Sequence, residues 1–368
     1  MGRKNRVDPN QIEFEDEHWE EWDEWGEEHP KAGGRKKART RLKSKDREKP
    51  EEVWIEPSIQ GLVVSIGSKR CLVRHSSSSQ DAEETECVLV EQVAENQRSN
   101  LAVGDQVRFW RRHQGPPGVR EVLPRKNQLS RPDPLNPRTQ RLIVANVDRV
   151  VHVISLAEPG FRAGLIDRIW IAVQKGGSGH LLFVNKYDLF EELEPEEQTR
   201  VETVLAYHRE NGMVILQGSA EDNVGIDALR QELKGQRVVF VGHSGVGKSS
   251  LLNSLNPNLD LATQEVKESS GTGRHTTTSS EIYFLKQGLE IIDTPGVRQF
   301  GLWGLSKREL REIFPEFQRQ DIQCQFSDCS HFHEPGCGVL QAVEDGRIPE
   351  VRYQTYKELA QSIDEASS

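Results

Sequence analysis

The residues GHSGVGKSS, from Gly242 to Ser250, have the composition and spacing of a loop that binds phosphate groups. The loop follows the apolar stretch RVVFV and precedes the helical pattern SSLLNSL, and this strand–loop–helix context is typical of phosphate loops. Glycines let backbone N–H groups approach phosphate oxygens, and the N-terminus of the following helix adds partial positive charge. Lys248 is expected to reach the β- and γ-phosphates, and the Ser249 hydroxyl to ligate Mg²⁺. The predicted nucleotide contacts in this loop are Gly242, His243, Ser244, Gly245, Val246, Gly247, Lys248, Ser249 and Ser250.

The tetrapeptide DTPG is a second candidate for phosphate chemistry. It ends the apolar stretch LEIIDTPG, so Asp293 comes at the end of a predicted strand. Asp293 is expected to hold Mg²⁺ through water, and the N–H of Gly296 to sense the γ-phosphate. Alone the tetrapeptide is a weak signal, because Asp and Pro-Gly are common in turns. Downstream of a phosphate loop it is a strong one.

The stretch LLFVNKYDL predicts which base the site selects. Asp188 can accept two hydrogen bonds, from the N1–H and the exocyclic amine of guanine, and adenine does not offer this pair. Asn185 is expected to support the loop and the ring edge, and Lys186 to pack its stem over the base. The tripeptide GSA, which contains Ser219 and Ala220, can present a backbone N–H to guanine O6. Either motif alone also fits a surface turn, but with the phosphate loop they predict a GTPase.

These motifs occur in an unusual order. The chain runs through NKYD, GSA, GHSGVGKS, a threonine-rich loop and then DTPG, whereas the guanine-binding motif ordinarily follows the phosphate loop. Cutting the usual chain once and joining its original N- and C-termini gives the motif order seen here. Because domain termini often lie close together at the surface, a permuted chain can rebuild the same sheet. The sequence therefore predicts a circularly permuted GTPase domain.

The threonine-rich segment SSGTGRHTTTSS has the composition of a mobile switch loop. Thr277 or Thr276 is expected to be the second hydroxyl ligand of Mg²⁺, and spacing does not distinguish between the two. Many GTPases carry a glutamine directly after the DxxG glycine that orients the attacking water, but here the residue is Val297. His275 is the nearest candidate to replace it, although a histidine in a polar loop is more often simply solvated. The missing glutamine predicts slow unaided hydrolysis that a partner accelerates.

The segment CQFSDCSHFHEPGC predicts a metal centre. Cys324, Cys329, His331 and Cys337 supply three thiols and an imidazole, which match a tetrahedral Zn²⁺ site. His333 is an alternative to His331 as the nitrogen ligand. The alternative is that the cysteines are unligated in a reducing compartment, which would leave their clustering with histidine unexplained. Because four protein ligands close the coordination sphere, we expect a structural ion rather than a catalytic one.

The elements that position these motifs divide the chain into three predicted domains. Residues 57–125 contain short alternating strands, which predict a small antiparallel barrel of the OB-fold type that binds RNA. Residues 126–305 contain apolar strands that alternate with helices, which predict a doubly wound parallel sheet of the α/β class; the segment RPDPLNPRTQ is expected to be a proline-rich connector. Residues 306–368 are expected to form a zinc-binding helical domain.

One barrel strand mixes aromatic and basic residues as RNA-binding surfaces do. Its residues are Arg108, Phe109, Trp110, Arg111 and Arg112. The alternative is an ordinary strand with an inward aromatic residue and outward charges.

The first 56 residues are expected to be a disordered tail. Residues 11–28 are acidic and contain Trp19, Trp22 and Trp25, and the tryptophans fit one face of a short partner-binding helix or an unspecific tail. Residues 31–49 are strongly basic with almost nothing apolar, so burial cannot offset the entropy of ordering them. The basic run is either a solvated tail or an arm that contacts RNA phosphates.

Composition limits the class of protein. The chain has 368 residues, a formal net charge of −10 that is unevenly distributed, and five cysteines. It lacks the long apolar run of a membrane span and a secretory signal. Three of the cysteines lie in the metal motif, which does not suggest a disulfide framework. We therefore expect a cytoplasmic protein.

The sequence resembles the ribosome small-subunit-dependent GTPases of bacteria, the RsgA or YjeQ type. The resemblance covers about residues 57–360 and rests on the permuted motif order, GHSGVGKSSL, GRHTTT, DTPG and the Cys-x4-Cys-x-His-x5-Cys cluster. It implies an OB barrel, a permuted GTPase domain and a zinc-binding helical domain. It also implies a late role in 30S subunit maturation with 16S rRNA as the main contact, and His275 as the catalytic histidine. The tail before residue 57 lies outside the resemblance.

These observations predict a GTP hydrolase with bound Mg²⁺ and one structural Zn²⁺. Its expected partners are the 30S subunit and 16S rRNA, with no membrane, and the expected state is a monomer. One alternative is a passive RNA-binding module with a vestigial nucleotide site, but the intact Lys248, Ser249, Asp293 and Asp188 disfavour it. Another is a GTPase that acts on protein or membrane partners; the barrel, basic arm and metal module favour RNA.

Overall fold

A computed structural model of the chain describes residues 54–67, 70–76, 82–89, 101–133, 136–256, 280–293 and 306–367. The predictions for the N-terminal tail therefore lie almost wholly outside the described residues. So do those for His275, Thr276, Thr277, Gly296 and Val297.

Five strands close into a barrel. They are β1 (Trp54–Ile66), β2 (Arg70–Ser76), β3 (Ala82–Leu89), β4 (Gln106–Arg112) and β5 (Gly118–Val122). The order around the barrel is β1-β2-β3-β5-β4, and β4 pairs back with β1. Alternate side chains fill the interior, among them Val63, Val107 and Phe109. The β3–β5 pair is parallel, so the barrel is not purely antiparallel as the sequence suggested.

The segment expected to be a connector is a β-hairpin. Strands β6 (Gln128–Asp133) and β7 (Asn136–Ala145) pair with each other as a separate two-stranded sheet. The connector prediction, which rested on the prolines, was wrong for a physical reason. In a two-stranded sheet both strands are edges, and an edge strand tolerates a residue that lacks a backbone N–H. Pro132 accordingly stands opposite Gln140 in the register.

After the β6–β7 hairpin, the chain forms a mostly parallel sheet. It contains β8 (Arg149–Ser155), β9 (Gly179–Asn185), β10 (Val214–Gln217), β11 (Arg237–Val241) and β13 (Glu290–Asp293). These five strands are parallel in the order β10-β9-β8-β11-β13, and β12 (Ser280–Phe284) joins β13 in the antiparallel sense. Strand β11, which precedes the phosphate loop, lies inside this sheet. The earlier strands β8, β9 and β10 lie on one side of it, and the later strands β13 and β12 lie on the other.

Helices cover both faces of this sheet, as predicted for a doubly wound α/β domain. Helices α1 (Ala163–Gly176) and α2 (Pro195–Glu210) pack on one face. Helices α3 (Ile226–Glu232) and α4 (Lys248–Leu255) pack on the other. Because both faces are buried, the strands are almost continuously apolar.

The barrel and the parallel sheet are joined edge to edge. Strand β12 pairs with β13 on one side and with the end of β1 on the other. Glu281 is the Cα partner of both Asp293 and Ser65. The Mg²⁺ aspartate expected from the sequence is therefore two strands away from the barrel.

The C-terminal part is helical. It contains α5 (Lys307–Ile313), a 3-10 turn (Pro315–Gln318), α6 (Gly338–Glu344) and α7 (Glu350–Ser367). A capping box between Ser306 and Glu309 starts α5. These elements share a core with Ile171 of α1. Within the described ranges, no helix combines the length and the apolarity that a membrane crossing needs.

Candidate nucleotide site and metal centre

The glycine-rich loop lies at the carboxyl end of the central strand β11. Gly242 has a φ of 146°, and a Cβ there would stand 2.2 Å from the Val153 carbonyl oxygen. Gly247, which caps α4, has a φ of 87°, and a Cβ there would stand 2.3 Å from Asn185 Nδ2. At both positions the backbone needs a residue without a side chain. A side chain at Gly242 or Gly247 would therefore push the loop away from Val153 or Asn185.

Lys248 folds back over this loop. Its Nζ donates to the carbonyl oxygens of Gly242 (2.7 Å) and His243 (2.6 Å). The ammonium thus lies beside the backbone N–H groups that would bind phosphate, at the N-terminus of α4. Ser249 and Ser250 follow in the first turn and are partly exposed. Lys248, Ser249 and Ser250 therefore lie together at the start of α4.

Asn185 connects the three nucleotide-binding motifs. Its side chain is buried at the end of β9. The amide Nδ2 donates to the Val246 carbonyl of the phosphate loop (2.9 Å), and Oδ1 accepts from the Ala220 N–H (3.0 Å). Residues separated by 61 and 35 positions therefore meet on one side chain. The glycine-rich loop, NKYD and GSA segments therefore meet in space despite their permuted order.

The remaining base-binding candidates lie around Asn185. Asp188 is exposed in a 3-10 turn (Tyr187–Glu192), and Ser219 is buried. The Ser219 hydroxyl accepts from the Asp222 N–H at 3.2 Å, which fixes the GSA turn. An exposed carboxylate beside this turn is available for the edge of a guanine ring.

The loop after β8 contacts NKYD, and we did not predict this contact from the sequence. Lys186, which has a φ of 56°, donates from Nζ to the carbonyl oxygens of Ala157 (3.1 Å) and Glu158 (2.8 Å). These residues follow β8, and Pro159 lies 3.3 Å from the Cβ position of Gly245. Carboxyl ends of parallel strands meet at one sheet edge, so the loop after β8 was a foreseeable neighbour of NKYD.

Two of the predicted Mg²⁺ ligands are described. Asp293 ends β13, and Ser249 follows the loop after β11; these two strands are parallel neighbours. Both residues therefore lie at the same edge of the sheet. The third ligand, Thr277, and the candidate catalytic residue His275 lie outside the described residues.

Cys324, Cys329, His331 and Cys337 form the predicted metal cluster. Their ligand atoms all lie within 4.8 Å of one another. His331 Nδ1 is 3.5 Å from Cys324 Sγ and 3.4 Å from Cys337 Sγ, and the two sulfurs are 3.9 Å apart. His333, the alternative ligand, is exposed and outside the cluster.

The backbone around the cluster is fixed by three further side chains. The Tyr353 hydroxyl donates to the His331 carbonyl (2.7 Å), and the Tyr356 hydroxyl donates to the Ser330 carbonyl (2.8 Å). Arg311 Nη1 donates to the Cys329 carbonyl (2.7 Å). Such outer contacts hold metal ligands in place.

Burial sets the protonation of the cluster in the absence of an ion. It raises the pKa of the Cys329 thiol to about 12 and lowers the pKa of His331 to about 4. The imidazole is therefore neutral and ready to bind a metal. The thiol must lose its proton when a metal binds.

Comparison with known proteins gives a consistent result. The family model described as RsgA GTPase matches residues 122–303. A Haemophilus influenzae relative, "Small ribosomal subunit biogenesis GTPase RsgA", is 40% identical over 73% of this chain and 78% of its own length. A relative of the same name from Actinobacillus pleuropneumoniae is 37% identical over 87% of this chain and 91% of its own.

Two solved structures share the architecture. The crystal structure of YjeQ from Thermotoga maritima superposes with a TM-score of 0.64 at 31% identity, covering 83% of this chain and 98% of that one. The structure of YloQ, described as a circularly permuted GTPase, gives a TM-score of 0.62 at 26% identity, covering 84% and 96%. The permuted order predicted from the motifs is therefore confirmed. The chain belongs to the RsgA GTPase family.

Proposed function

We propose that this chain is a Mg²⁺-dependent GTP hydrolase that binds the small ribosomal subunit, acts in its late maturation and leaves after hydrolysis. The observation that carries the proposal is the Asn185 side chain, which joins the phosphate loop to the guanine-binding turn. The relatives' printed name, a small ribosomal subunit biogenesis GTPase, supports the choice of partner.

The nucleotide would span the carboxyl edge of the sheet. Phosphates would bind the backbone N–H groups from Gly242 to Ser250, with Lys248 moving from its two carbonyl partners to the β- and γ-phosphates. The guanine would bind the Asp188 carboxylate and the Ala220 region. Because the Asn185 side chain touches both regions, it sets the distance between base and phosphate subsites.

Ser249 and Asp293 would hold Mg²⁺ with Thr277, or Thr276, from the threonine-rich loop. When bound, the ion would neutralise negative charge that develops on the phosphate oxygens during hydrolysis. Val297 cannot orient water, so we assign that role to His275. Gly296 would sense the γ-phosphate through its N–H. Each of these roles is part of the proposal.

The ion proposed for the cysteine cluster is Zn²⁺. Bonds of about 2.0–2.3 Å in a tetrahedral site place ligand atoms about 3.4–3.8 Å apart. The distances of 3.4, 3.5 and 3.9 Å among Cys324, His331 and Cys337 fit this geometry, and the Cys329 thiol lies within 4.8 Å of the other three ligand atoms. Four protein ligands leave no open position, so the ion would stabilise the module and take no part in hydrolysis.

We also propose a role for each of the three domains. We assign residues 57–125 as an OB-fold barrel that contacts 16S rRNA, 126–305 as the GTPase domain and 306–368 as the zinc-binding domain. The closed order β1-β2-β3-β5-β4 and the mixed basic and aromatic strand β4 support the first assignment. We further propose a cytoplasmic monomer.

Co-sedimentation with purified 30S subunits tests the proposed partner. We expect the chain to pellet with 30S subunits in a non-hydrolysable GTP analogue and to be released in GDP. Lys248→Ala is expected to pellet equally in both conditions, because it binds neither nucleotide well. A wild-type chain that pellets independently of nucleotide would instead support the passive RNA-binding module.

A further inference from the structure

Glu334 of the metal segment has a carboxylate that accepts four hydrogen bonds from its own loop. One oxygen, Oε1, accepts from the Ser330 N–H at 2.7 Å and from the Ser330 hydroxyl. The other, Oε2, accepts from the N–H groups of Phe332 (3.1 Å) and His333 (3.2 Å). An ionised carboxylate offers about four acceptor positions, so the loop occupies all of them.

These contacts make Glu334 a part of the loop and not a metal ligand. Among the residues that the structure describes, the group able to hold an ion does not include it; that group consists of Cys324, Cys329, His331 and Cys337. Glu334 can therefore act on the metal centre in two ways, through the shape of the loop and through its negative charge.

The hydrogen bonds surround a backbone position with an unusual conformation. His331 has a φ of 63°, in the left-handed region that residues with a side chain seldom adopt. The residues before and after it, Ser330 and Phe332, both donate from their N–H groups to Glu334. Backbone N–H groups that converge in such a turn form a concave site for an anion. The carboxylate therefore stabilises a turn that the backbone alone disfavours.

This turn gives the two histidines of the segment different surroundings. His331 is buried, and its ring packs edge-on against Phe317 with the ring centroids 5.1 Å apart. Phe332 packs against Tyr356 with a centroid distance of 6.0 Å, and His333 is exposed. In an extended segment, by contrast, residues two positions apart share a face. Without the turn, either histidine could reach the three thiols.

We propose that Glu334 is a positioning residue that selects His331 over His333 as the nitrogen ligand of the metal centre. Its carboxylate holds the left-handed turn, so the His331 imidazole enters the cluster and the His333 imidazole stays outside. This inference rests on the proposed zinc centre, and it adds the residue that decides between the two candidate ligands. Mutation of groups that hold metal ligands in place typically lowers metal affinity by about 10–100-fold.

Zinc affinity of the full chain, measured by competition with a colorimetric chelator, tests the proposal. The first variant is Glu334→Gln, whose amide places an N–H₂ donor where an acceptor stood. The second is Glu334→Asp, which keeps the charge but has a shorter side chain. The matched control is Glu312→Gln, which removes an exposed carboxylate of α5 that pairs with Arg308 at 3.0 Å.

Each chain is also combined with His331→Ala or His333→Ala. In wild type and in Glu312→Gln, we expect His331→Ala to lower zinc affinity at least about tenfold, and His333→Ala to leave it unchanged. Both Glu334 variants should bind zinc about tenfold more weakly than wild type. In them either histidine can ligate, so each histidine substitution should lower affinity by only about twofold, as expected when one of two equal binding modes is lost.

The visible absorption of the Co²⁺-loaded chains checks that each variant forms a tetrahedral site. Where a Glu334 variant does not, Ser330→Ala replaces it, since this change removes one donor and leaves the carboxylate, and the same shift between the histidines is expected to a smaller extent.

Glu334 or Ser330 variants in which His331→Ala remains as damaging as in wild type and His333→Ala remains silent would overturn the proposal, because a weakened module would then keep its ligand. Wild-type behaviour of Glu334→Asp would also overturn it, since charge alone would then explain Glu334→Gln. A wild-type chain that binds no zinc would instead reject the proposed metal centre itself.

Discussion

Asn185 is the residue at which the proposed base and phosphate subsites meet. Its amide group is buried, and both of its polar atoms have backbone partners in separate motifs. Amide geometry satisfies a carbonyl and an N–H at once, which a carboxylate of the same size cannot do. The first residue of NKYD therefore serves the architecture of the site, while Asp188 remains exposed for the base.

Changing Asp188 to Asn should alter base selection. The substitution replaces an acceptor with a donor facing the N1–H of guanine, and xanthine offers the complementary group. We expect GTP affinity to fall at least tenfold and affinity for xanthosine triphosphate to rise. Competition binding with both nucleotides measures this. Unchanged GTP affinity would show that NKYD is only a turn.

Gly247→Ala should weaken nucleotide binding through a steric effect. The new Cβ would stand 2.3 Å from Asn185 Nδ2 and break the contact between the subsites. The matched control is Gly212→Ala, which has a similar φ of 85° but no atoms within 4 Å of the Cβ position.

Both glycine variants should lose about 1–2 kcal/mol of folding free energy from the left-handed backbone. Only Gly247→Ala should bind GTP at least tenfold more weakly, as measured by titration calorimetry. Equal nucleotide affinity in the two variants would contradict the role assigned to the Asn185 contact.

At the scale of elements, the sheet order explains how a permuted chain forms an ordinary nucleotide site. The strands that carry NKYD and GSA lie on one side of β11, and β13 lies on the other. Their carboxyl ends share one edge, so chain order does not affect the geometry of the site. The strand–helix alternation and the motif contexts were sufficient to predict this part.

Two features of the elements could not be predicted from local patterns. Prolines in RPDPLNPRTQ suggested a connector, yet β6 and β7 are edges where proline is tolerated. The pairing of β1 with β12 joins residues more than 200 positions apart through two residue pairs. Periodicity along the chain contains no information about such a short, distant contact.

The metal cluster makes a prediction for the C-terminal elements. Cys329→Ser should prevent stoichiometric zinc binding and unfold the region from α5 to α7, because the metal supplies folding energy to its module. GTP binding should be retained, since the nucleotide contacts are on other elements. Elemental analysis together with hydrogen exchange measures both effects. Purified wild-type chain without zinc would contradict the assignment.

At the scale of the whole molecule, a buried ion network attaches the C-terminal helices to the parallel-sheet domain. Arg352 of α7 donates to Asp167 of α1 and, at 2.5 Å, to Glu316 of the 3-10 turn. All three residues are at most 3% exposed. Asp167 and Arg352 are 185 positions apart, so no sequence pattern indicated this contact.

Arg352→Met should be strongly destabilising, because it leaves two buried carboxylates without their cation. A loss of about 3–5 kcal/mol is typical for breaking one partner of a buried network. The control Arg347→Met removes an arginine from exposed pairs with Asp321 and Asp345, and it should lose far less stability because solvent screens these charges. Denaturant unfolding compares the two, and similar losses would show that the buried network is not a main attachment.

GTP turnover with and without purified 30S subunits tests the central claim most directly. Because Val297 cannot position water, the free chain should turn over GTP far below about 10 per second, a typical enzyme median. We predict that subunits raise this rate at least tenfold in wild type, and that His275→Ala retains GTP binding but loses most of the increase. A wild-type rate that subunits leave unchanged would contradict the account.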